Sequence, residues 1–372
     1  MSEDQDATGT RPGPTPVPPA QHAAPAAPDH RSLPRGVPDP ALAEYEAFSA
    51  VTLTDAERWP SLSAEGFAGM HALRDHPRAP DWVHVCGDRV VPDDIPVLRG
   101  RAADAAARSW EPRGEVWTRP GWVDELVHRV STTVPHYRAL ARRDGRAPRS
   151  LDDVTPVSRD DLGRGVADFV PVDVPLDRVL EGSSSGSTGA ALVVPLHPVS
   201  TAAEVVYLTE LAAQAGVTWD AEPGRTCLLN VVDQRTAFTY ASALTTKGGA
   251  PMARVNVHPD GWRAPGDREA FLADADAQVL SGNPLSLLAL ADLDVDLHPL
   301  VVFSGAAHLA PGARRRLEQR WGAPVIDVYG TREAGLVAAD RTGDRGTDGQ
   351  TRHTVLPRRV HAEILDEHGE QV

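Results

Sequence analysis

The stretch "VVFSGAAHLAPGARRRLEQRWGAPVIDVYG", residues 301–330, decides the fold. "PLVVFSG" is an uninterrupted apolar run of strand length. "APGARRRLEQRWG" has the composition of a helix with a charged outer face, and "APVIDVYG" is a second strand. Strands that read as continuous apolar runs and alternate with helices are covered on both faces, so the unit predicts parallel sheet. The same alternation extends upstream. "RTCLLNVV" and "AQVLSG" are strands, while "STAAEVVYLTELAAQAG", "DREAFLADAD" and "PLSLLALADL" are helices. Gly216 ends the first helix and Pro284 opens the last. The fold class is therefore α/β, with layered sheets and helices on both faces.

Nearer the N-terminus, "WVDELVHRVSTTVPHYRALARR" has helical periodicity that Pro135 divides into two pieces. "VTPVSRDDLGRGVADF" is a turn leading into a helix. Earlier still, "ALAEYEAFSAV" and "GRAADAAARSW" read as helical and "DWVHVCGDRVV" as a short strand pair. His84 and Cys86 stand two apart there, either as packing residues or as half of a metal site that lacks a second pair. Residues 1–40 hold ten of the 33 prolines and read as a disordered tail. Residues 41–110 form an N-terminal extension of no evident role, and the core runs from 111 to 372. At the end, "RVHAEILDEHGEQV" predicts a strand and then a hairpin turn.

Composition excludes several classes. The net charge of −15 argues against a nucleic-acid binder working through a basic footprint. Two cysteines, Cys86 and Cys227, build no disulfide framework. The acidic N-terminus leads into no apolar signal segment, and no run approaches the roughly 18 apolar residues of a membrane helix. A cytoplasmic protein that binds no membrane is the expectation.

The least ordinary segment is "EGSSSGSTGAALVVPL", residues 181–196. Small residues let backbone N–H groups approach phosphate oxygens, and hydroxyls add donors. A flexible Ser/Gly linker is the competing reading. The G-x-x-x-x-G-K-[ST] loop is absent: Ser187 stands where its second glycine would be, no lysine follows, and the segment runs into a strand rather than a helix. A GTPase or kinase reading is disfavoured on that ground.

Four stretches together resemble the adenylate-forming superfamily, the acyl- and aryl-CoA ligases, in its phenylacetate-CoA ligase branch. They are Ser184-Ser185-Gly186-Ser187-Thr188-Gly189; "VPHYRAL" (134–140) with "LDDVTPVSRDDL" (151–162); 301–335, ending in Tyr329-Gly330-Thr331-Arg332-Glu333; and "RHTVLPRRVHAEILDEHGEQV" (352–372). The resemblance implies ATP-dependent activation of a small or aryl carboxylic acid as an acyl-adenylate. The acyl group then passes to CoA, a carrier-protein thiol or a nitrogen acceptor. It implies ATP and Mg²⁺ as cofactors with CoA as co-substrate, and leaves a homodimer open.

By the same resemblance, Ser184, Ser185, Gly186, Ser187, Thr188 and Gly189 cradle phosphates. Gly305, Ala306 and Ala307 line an adenine pocket, with Asp327, Tyr329, Gly330 and Thr331 also at the nucleotide. Phe238, Tyr240 and Ser304 belong to the acyl pocket, with ordinary core aromatics as the competing reading for the first two. Glu333 holds Mg²⁺ and, with Arg332, serves catalysis. Two departures stand out. Ala190 and Ala191 follow Gly189 where the family has Lys-Pro, and Arg332 replaces a Thr or Ser. Arg332 is expected to supply part of the lost positive charge. The family's Arg-x-x-Gly-Asp segment and C-terminal lid with its lysine have no counterpart here. "RTGD" at 341–344 lies eight residues after Glu333 and reads as a chance match in a loop. The alternative is a lid-less nucleotide-binding or interaction protein with little catalysis.

Overall fold

The computed structural model describes residues 53–107, 119–184, 192–345, 351–356 and 359–366. The strands are Leu180–Ser184 (β1), Leu192–Leu196 (β2), Leu228–Val232 (β3), Tyr240–Leu244 (β4) and Ala250–Asn256 (β5). Val279–Gly282 (β6), Val301–Ser304 (β7), Val325–Thr331 (β8), Gly335–Arg345 (β9) and Thr351–Val355 (β10) follow. The helices are Asp55–Arg58 (α1), Ala64–Arg74 (α2), Asp94–Ala106 (α3), Gly121–Thr133 (α4) and Pro135–Arg143 (α5). Arg159–Arg164 (α6), Pro198–Gln214 (α7), Asp267–Ala275 (α8), Pro284–Ala291 (α9) and Pro311–Trp321 (α10) complete them.

An eight-stranded sheet runs in the order β10-β9-β8-β7-β6-β3-β5-β4. Its centre, β5-β3-β6-β7-β8, is parallel, while β4, β9 and β10 pair antiparallel at the two edges. The chain is thus mixed α/β rather than purely parallel. Alternate strand residues serve two cores, as the pleat requires. Leu229, Val231, Leu280, Val302 and Val325 join Phe271, Leu287 and Leu317 of α8, α9 and α10. Their neighbours Leu228, Val279, Val301, Phe303 and Ile326 join Leu98 of α3 and Ala203 and Leu211 of α7 on the other face. Helix starts follow their sequence signals. The Asn283 side chain accepts from Ser286 N at 2.9 Å at the start of α9, where Pro284 takes the first helical position. Gly216, at φ 79°, follows α7.

The structure corrects several expectations. β1 and β2 form an antiparallel pair that is a two-stranded sheet of its own, so the Ser/Gly segment joins a hairpin rather than two strands of the parallel sheet. Residues 81–91 form no strand pair. Val83 N and His84 N instead donate to Thr239 O, tying this segment to the start of β4. Residues 341–344, expected in a loop, lie within β9. Residues 361–364 form no strand, and the expected hairpin turn beyond 366 lies outside the described residues, as do residues 1–40 and the helix expected at 41–51. The N-terminal extension packs on the main body: α2 lies against β4 and β5, and α3 against α7.

Candidate functional site

A cleft of 1810 Å³ lies over the α7 face of the sheet, toward the carboxyl ends of β3, β7 and β8. Open α/β sheets bind ligands at that end, where loops and backbone N–H groups converge. Gly305, Ala306, Gly330, Thr331, Arg332 and Glu333 all line it, and so do Phe238 and Tyr240. Ala306 takes a left-handed φ of 63° two residues after β7, a strained conformation for a residue with a Cβ. Among the described residues, five arginines and three acids line the cleft of a chain whose net charge is −15. A locally cationic recess of this kind draws anions.

The nucleotide end expected from sequence is built on the hairpin that joins β8 to β9. Thr331 Oγ1 accepts from Ala334 N at 3.0 Å, which closes the Arg332–Ala334 turn. Gly335 follows at φ 69°, and a Cβ there would collide with the Glu204 carboxylate and the Arg359 guanidinium. Glu204, on α7, accepts from Leu336 N at 3.1 Å and pairs with Arg359. Arg359 also donates through Nε to Leu336 O at 2.7 Å and lies over the Tyr207 ring at 5.0 Å. Burial pushes the Glu204 carboxyl up, and Arg359 offsets part of that rise. One buried ion pair therefore clamps the turn that carries Arg332 and Glu333.

Arg332 reaches across to β1. A Cβ built on Gly182 would lie 2.8 Å from Arg332 Nε and 2.8 Å from Leu196 Cδ1. Only a residue without a side chain lets the guanidinium lie against this strand, two residues before Ser184. Ser185, Gly186, Ser187, Thr188 and Gly189 lie outside the described residues. Of the expected phosphate cradle, only Ser184 falls within them, as a β1 residue.

The floor of the cleft is a row of side chains in strand register. Tyr240 on β4 pairs with Arg254 on β5, Arg254 with Asn230 on β3, and Asn230 with Ser281 on β6. Asn230 Nδ2 donates to Ser281 Oγ at 2.8 Å. The wall beside them comes from the N-terminal extension. The His84 ring meets those of Phe238 and Tyr240 edge-on at 5.6 and 5.9 Å, and Cys86 lines the same wall. Burial pushes the Tyr240 hydroxyl up to about 12 and the Cys86 thiol up to about 11, so both are protonated near neutral pH.

Sequence reasoning gave no role to Asn230, Arg254, Glu204 or Arg359, and weighed His84 and Cys86 only as packing residues or half of a metal site. Asn230 and Arg254 do carry a signal: each interrupts an otherwise apolar strand at a cleft-facing position. Four expected residues lie apart from the cleft lining. Ser304 is fully buried, with an Oγ that has no hydrogen-bond partner. Asp327 is buried in β8, where its carboxylate meets His353 Nε2 at 3.3 Å and its backbone N donates to Asp340 Oδ1 at 2.6 Å. Asp340 in turn pairs with Arg314. Ala307 is exposed on the loop after β7, and Tyr329 is 56% exposed. Among the described residues no group of three or more His, Cys, Asp or Glu could hold a metal ion, and no helix is long and apolar enough to cross a membrane.

No family model matches the chain, and no curated protein matches it. Solved structures do align with part of it. An open conformation of a 2-hydroxyisobutyryl-CoA ligase, in complex with 2-HIB-AMP and CoA, is 18% identical over 64% of this chain and 65% of its own, with a TM-score of 0.42. An anthranilate CoA ligase, AuaEII, in complex with anthranoyl-AMP, is 16% identical over 52% of this chain and 37% of its own, at 0.36. The amide bond synthetase McbA from Marinactinospora thermotolerans is 21% identical over 64% of this chain and 47% of its own, at 0.35. This chain therefore spans less than two thirds of each of those proteins. At TM-scores below 0.5 these likenesses decide nothing about the site, whose reading rests on its own residues.

Proposed function

We propose that this chain is the large-domain portion of an adenylate-forming enzyme that activates a carboxylic acid with ATP. The carrying observation is the meeting of Gly305, Ala306, Gly330, Arg332 and Glu333 in one cationic cleft, with Arg332 laid against the strand that enters the hydroxyl-rich loop. In this reading a carboxylate oxygen attacks the α-phosphorus of ATP. The bond to the bridging oxygen breaks, and pyrophosphate leaves with the negative charge. The acyl-adenylate then gives its acyl group to a CoA thiol, a carrier thiol or a nitrogen nucleophile, and AMP departs.

The residues at hand suit the first step. Gly305 and Ala306 present backbone and little bulk at the end of β7, which suits the close approach of a flat base. The exposed Arg332 guanidinium lies against β1, the strand that enters the expected phosphate loop, and a cation there stabilises developing negative charge. Glu333 stands exposed at the tip of the clamped turn. A magnesium ion held by one carboxylate, phosphate oxygens and water fits there, whereas a cage made wholly of protein ligands does not. Such an ion would neutralise phosphate charge.

ATP–pyrophosphate exchange with a panel of aryl and short-chain acids tests the proposal. Exchange above background is expected, falling on the order of 100-fold in Glu333→Gln, as removal of a focused electrostatic group does. ATP binding without exchange for any acid would instead support a nucleotide-binding protein of little catalysis.

A further inference from the structure

Two polar atoms on the cleft floor are buried without a hydrogen-bond partner: Nε of Arg254 and Oδ1 of Asn230. Buried polar atoms in folded proteins are almost always paired, and two orphans side by side are costly unless something outside the chain satisfies them. Both residues line the cleft, and strand register puts them directly opposite each other on β5 and β3. One orphan is a donor on a cation; the other is an acceptor.

Among the described residues, neither register neighbour of Arg254 balances its charge. Its register neighbours are Tyr240, whose hydroxyl burial keeps protonated, and Asn230, which is neutral. Of the three cleft acids, Glu204 is taken by Arg359, Asp104 is engaged elsewhere, and Glu333 stands exposed on the β8–β9 turn. A guanidinium presents parallel N–H donors that match the two oxygens of a carboxylate, and it stays charged in a desolvated site. Above the floor stand the Phe238 and Tyr240 rings, which offer apolar surface. The recess therefore offers a cation at its base, aromatic walls, and Arg332 as a separate cation on the β8–β9 turn.

We infer that the acid taken by this cleft is a dicarboxylate with an apolar or aromatic spacer, whose second, unreacting carboxylate is received by Arg254. The inference rests on the activation reading, in which the reacting carboxylate lies at the Arg332 end, and it makes Arg254 a specificity-determining residue.

The test uses the full chain and pairs of acids that differ by one carboxylate: benzoate with isophthalate and terephthalate, and butyrate with succinate and glutarate. Calorimetry measures binding, and pyrophosphate exchange measures activation. At least one dicarboxylate should bind about tenfold or more tightly than its monocarboxylate partner, the range of a charge-assisted pair. Arg254→Met should abolish that preference, and Arg254→Lys should keep part of it. Asn230→Ala, which leaves the guanidinium in place, should keep a dicarboxylate preference and so serves as a second variant should Arg254→Met not fold. No preference in the unsubstituted protein, or a preference that survives Arg254→Met, overturns the inference. Equal losses for mono- and dicarboxylates also overturn it, because Arg254 would then hold the reacting group. Arg254-dependent dicarboxylate binding with no exchange for any acid supports the anion site and refutes the activation reading instead.

Discussion

Replacing Arg359 with methionine should unclamp the β8–β9 turn, and the size of the effect follows from what is left behind. Glu204 would keep a largely buried carboxylate, with only Leu336 N still donating to it. Breaking a fully buried pair by removing one partner costs about 3–5 kcal/mol. Here the Arg359 side chain is 9% exposed and that of Glu204 31%, so solvent screens part of the stranded charge and about 3 kcal/mol is the better figure. With an unfolding entropy of roughly 2.1 cal/mol/K per residue over a unit of this length, that is a fall in Tm of roughly 4 °C.

The pH dependence has a definite sign. Burial already holds the Glu204 carboxyl above its ordinary value of 4.5 in the folded state, so the folded chain keeps that proton to higher pH than the unfolded chain does. The group's contribution is most favourable below about pH 4.5 and is lost as pH rises through the raised value. Without Arg359 the value rises further, so the variant's deficit should be smaller at pH 5 than at pH 8. Melting curves of the unsubstituted protein, Arg359→Met and Glu204→Gln/Arg359→Met at both pH values provide the check. The double variant should recover the charge component, about 1–2 kcal/mol, but not the guanidinium's bond to Leu336 O. A deficit equal at both pH values, or a double variant no more stable than the single one, would refute the stranded-charge account.

Gly335→Ala should cost clearly more than the roughly 1–2 kcal/mol that a left-handed conformation imposes on a residue with a Cβ, because the Glu204–Arg359 pair occupies the space. Gly216→Ala, at φ 79° with open space around it, is the control; equal melting losses would show that the clamp does not crowd Gly335. His353 is held above its ordinary value of 6.5, chiefly by its hydrogen bond to Asp327. Its stabilising contribution is complete below about pH 6.5 and is lost as pH rises through the raised value. Urea titrations should therefore find His353→Asn less stable than the unsubstituted protein at pH 6 and closer to it at pH 9; a gap that does not narrow would count against the ion pair.

What the sequence disclosed and what it withheld follow the range of the interactions involved. The helix–strand alternation over 198–232 and 267–331 was legible because each element announces itself locally: an apolar run, a proline at a first turn, a glycine at an end; β5, between them, drew no expectation. The β8–β9 turn was legible as a motif because Tyr329 to Glu333 are contiguous, and the same holds for Gly305 and Ala306. The antiparallel edges were not. Tyr240–Leu244 is flanked by no α-helix, and Asp340 in Gly335–Arg345 is buried only because Arg314 of α10 pairs with it, a contact that no local pattern shows. Nor could local pattern place His84 against Tyr240 or Glu204 against Arg359, contacts between residues more than 150 positions apart.

The two ends of the cleft are built on opposite principles. At the turn bearing Arg332 and Glu333, polar groups are satisfied within the chain: Thr331 closes the turn, Glu204 and Arg359 hold its far side, and glycines at 182 and 335 leave room for the side chains against them. Such a site is preorganised, which suits chemistry in which charge develops at a fixed place. On the floor, Arg254 and Asn230 are left with desolvated atoms that the chain does not satisfy. Satisfying them internally was open to the fold, since a carboxylate in place of Asn230 would pair with Arg254 in strand register. A protein that leaves a half-buried arginine without a counter-ion facing its cleft gives up stability there, and a ligand that pairs with it regains that free energy only on binding. In the proposed function, recognition of the acid is therefore concentrated at the floor and recognition of the nucleotide at the turn, so substitutions at Arg254 should change which acid is taken while leaving ATP affinity unaltered.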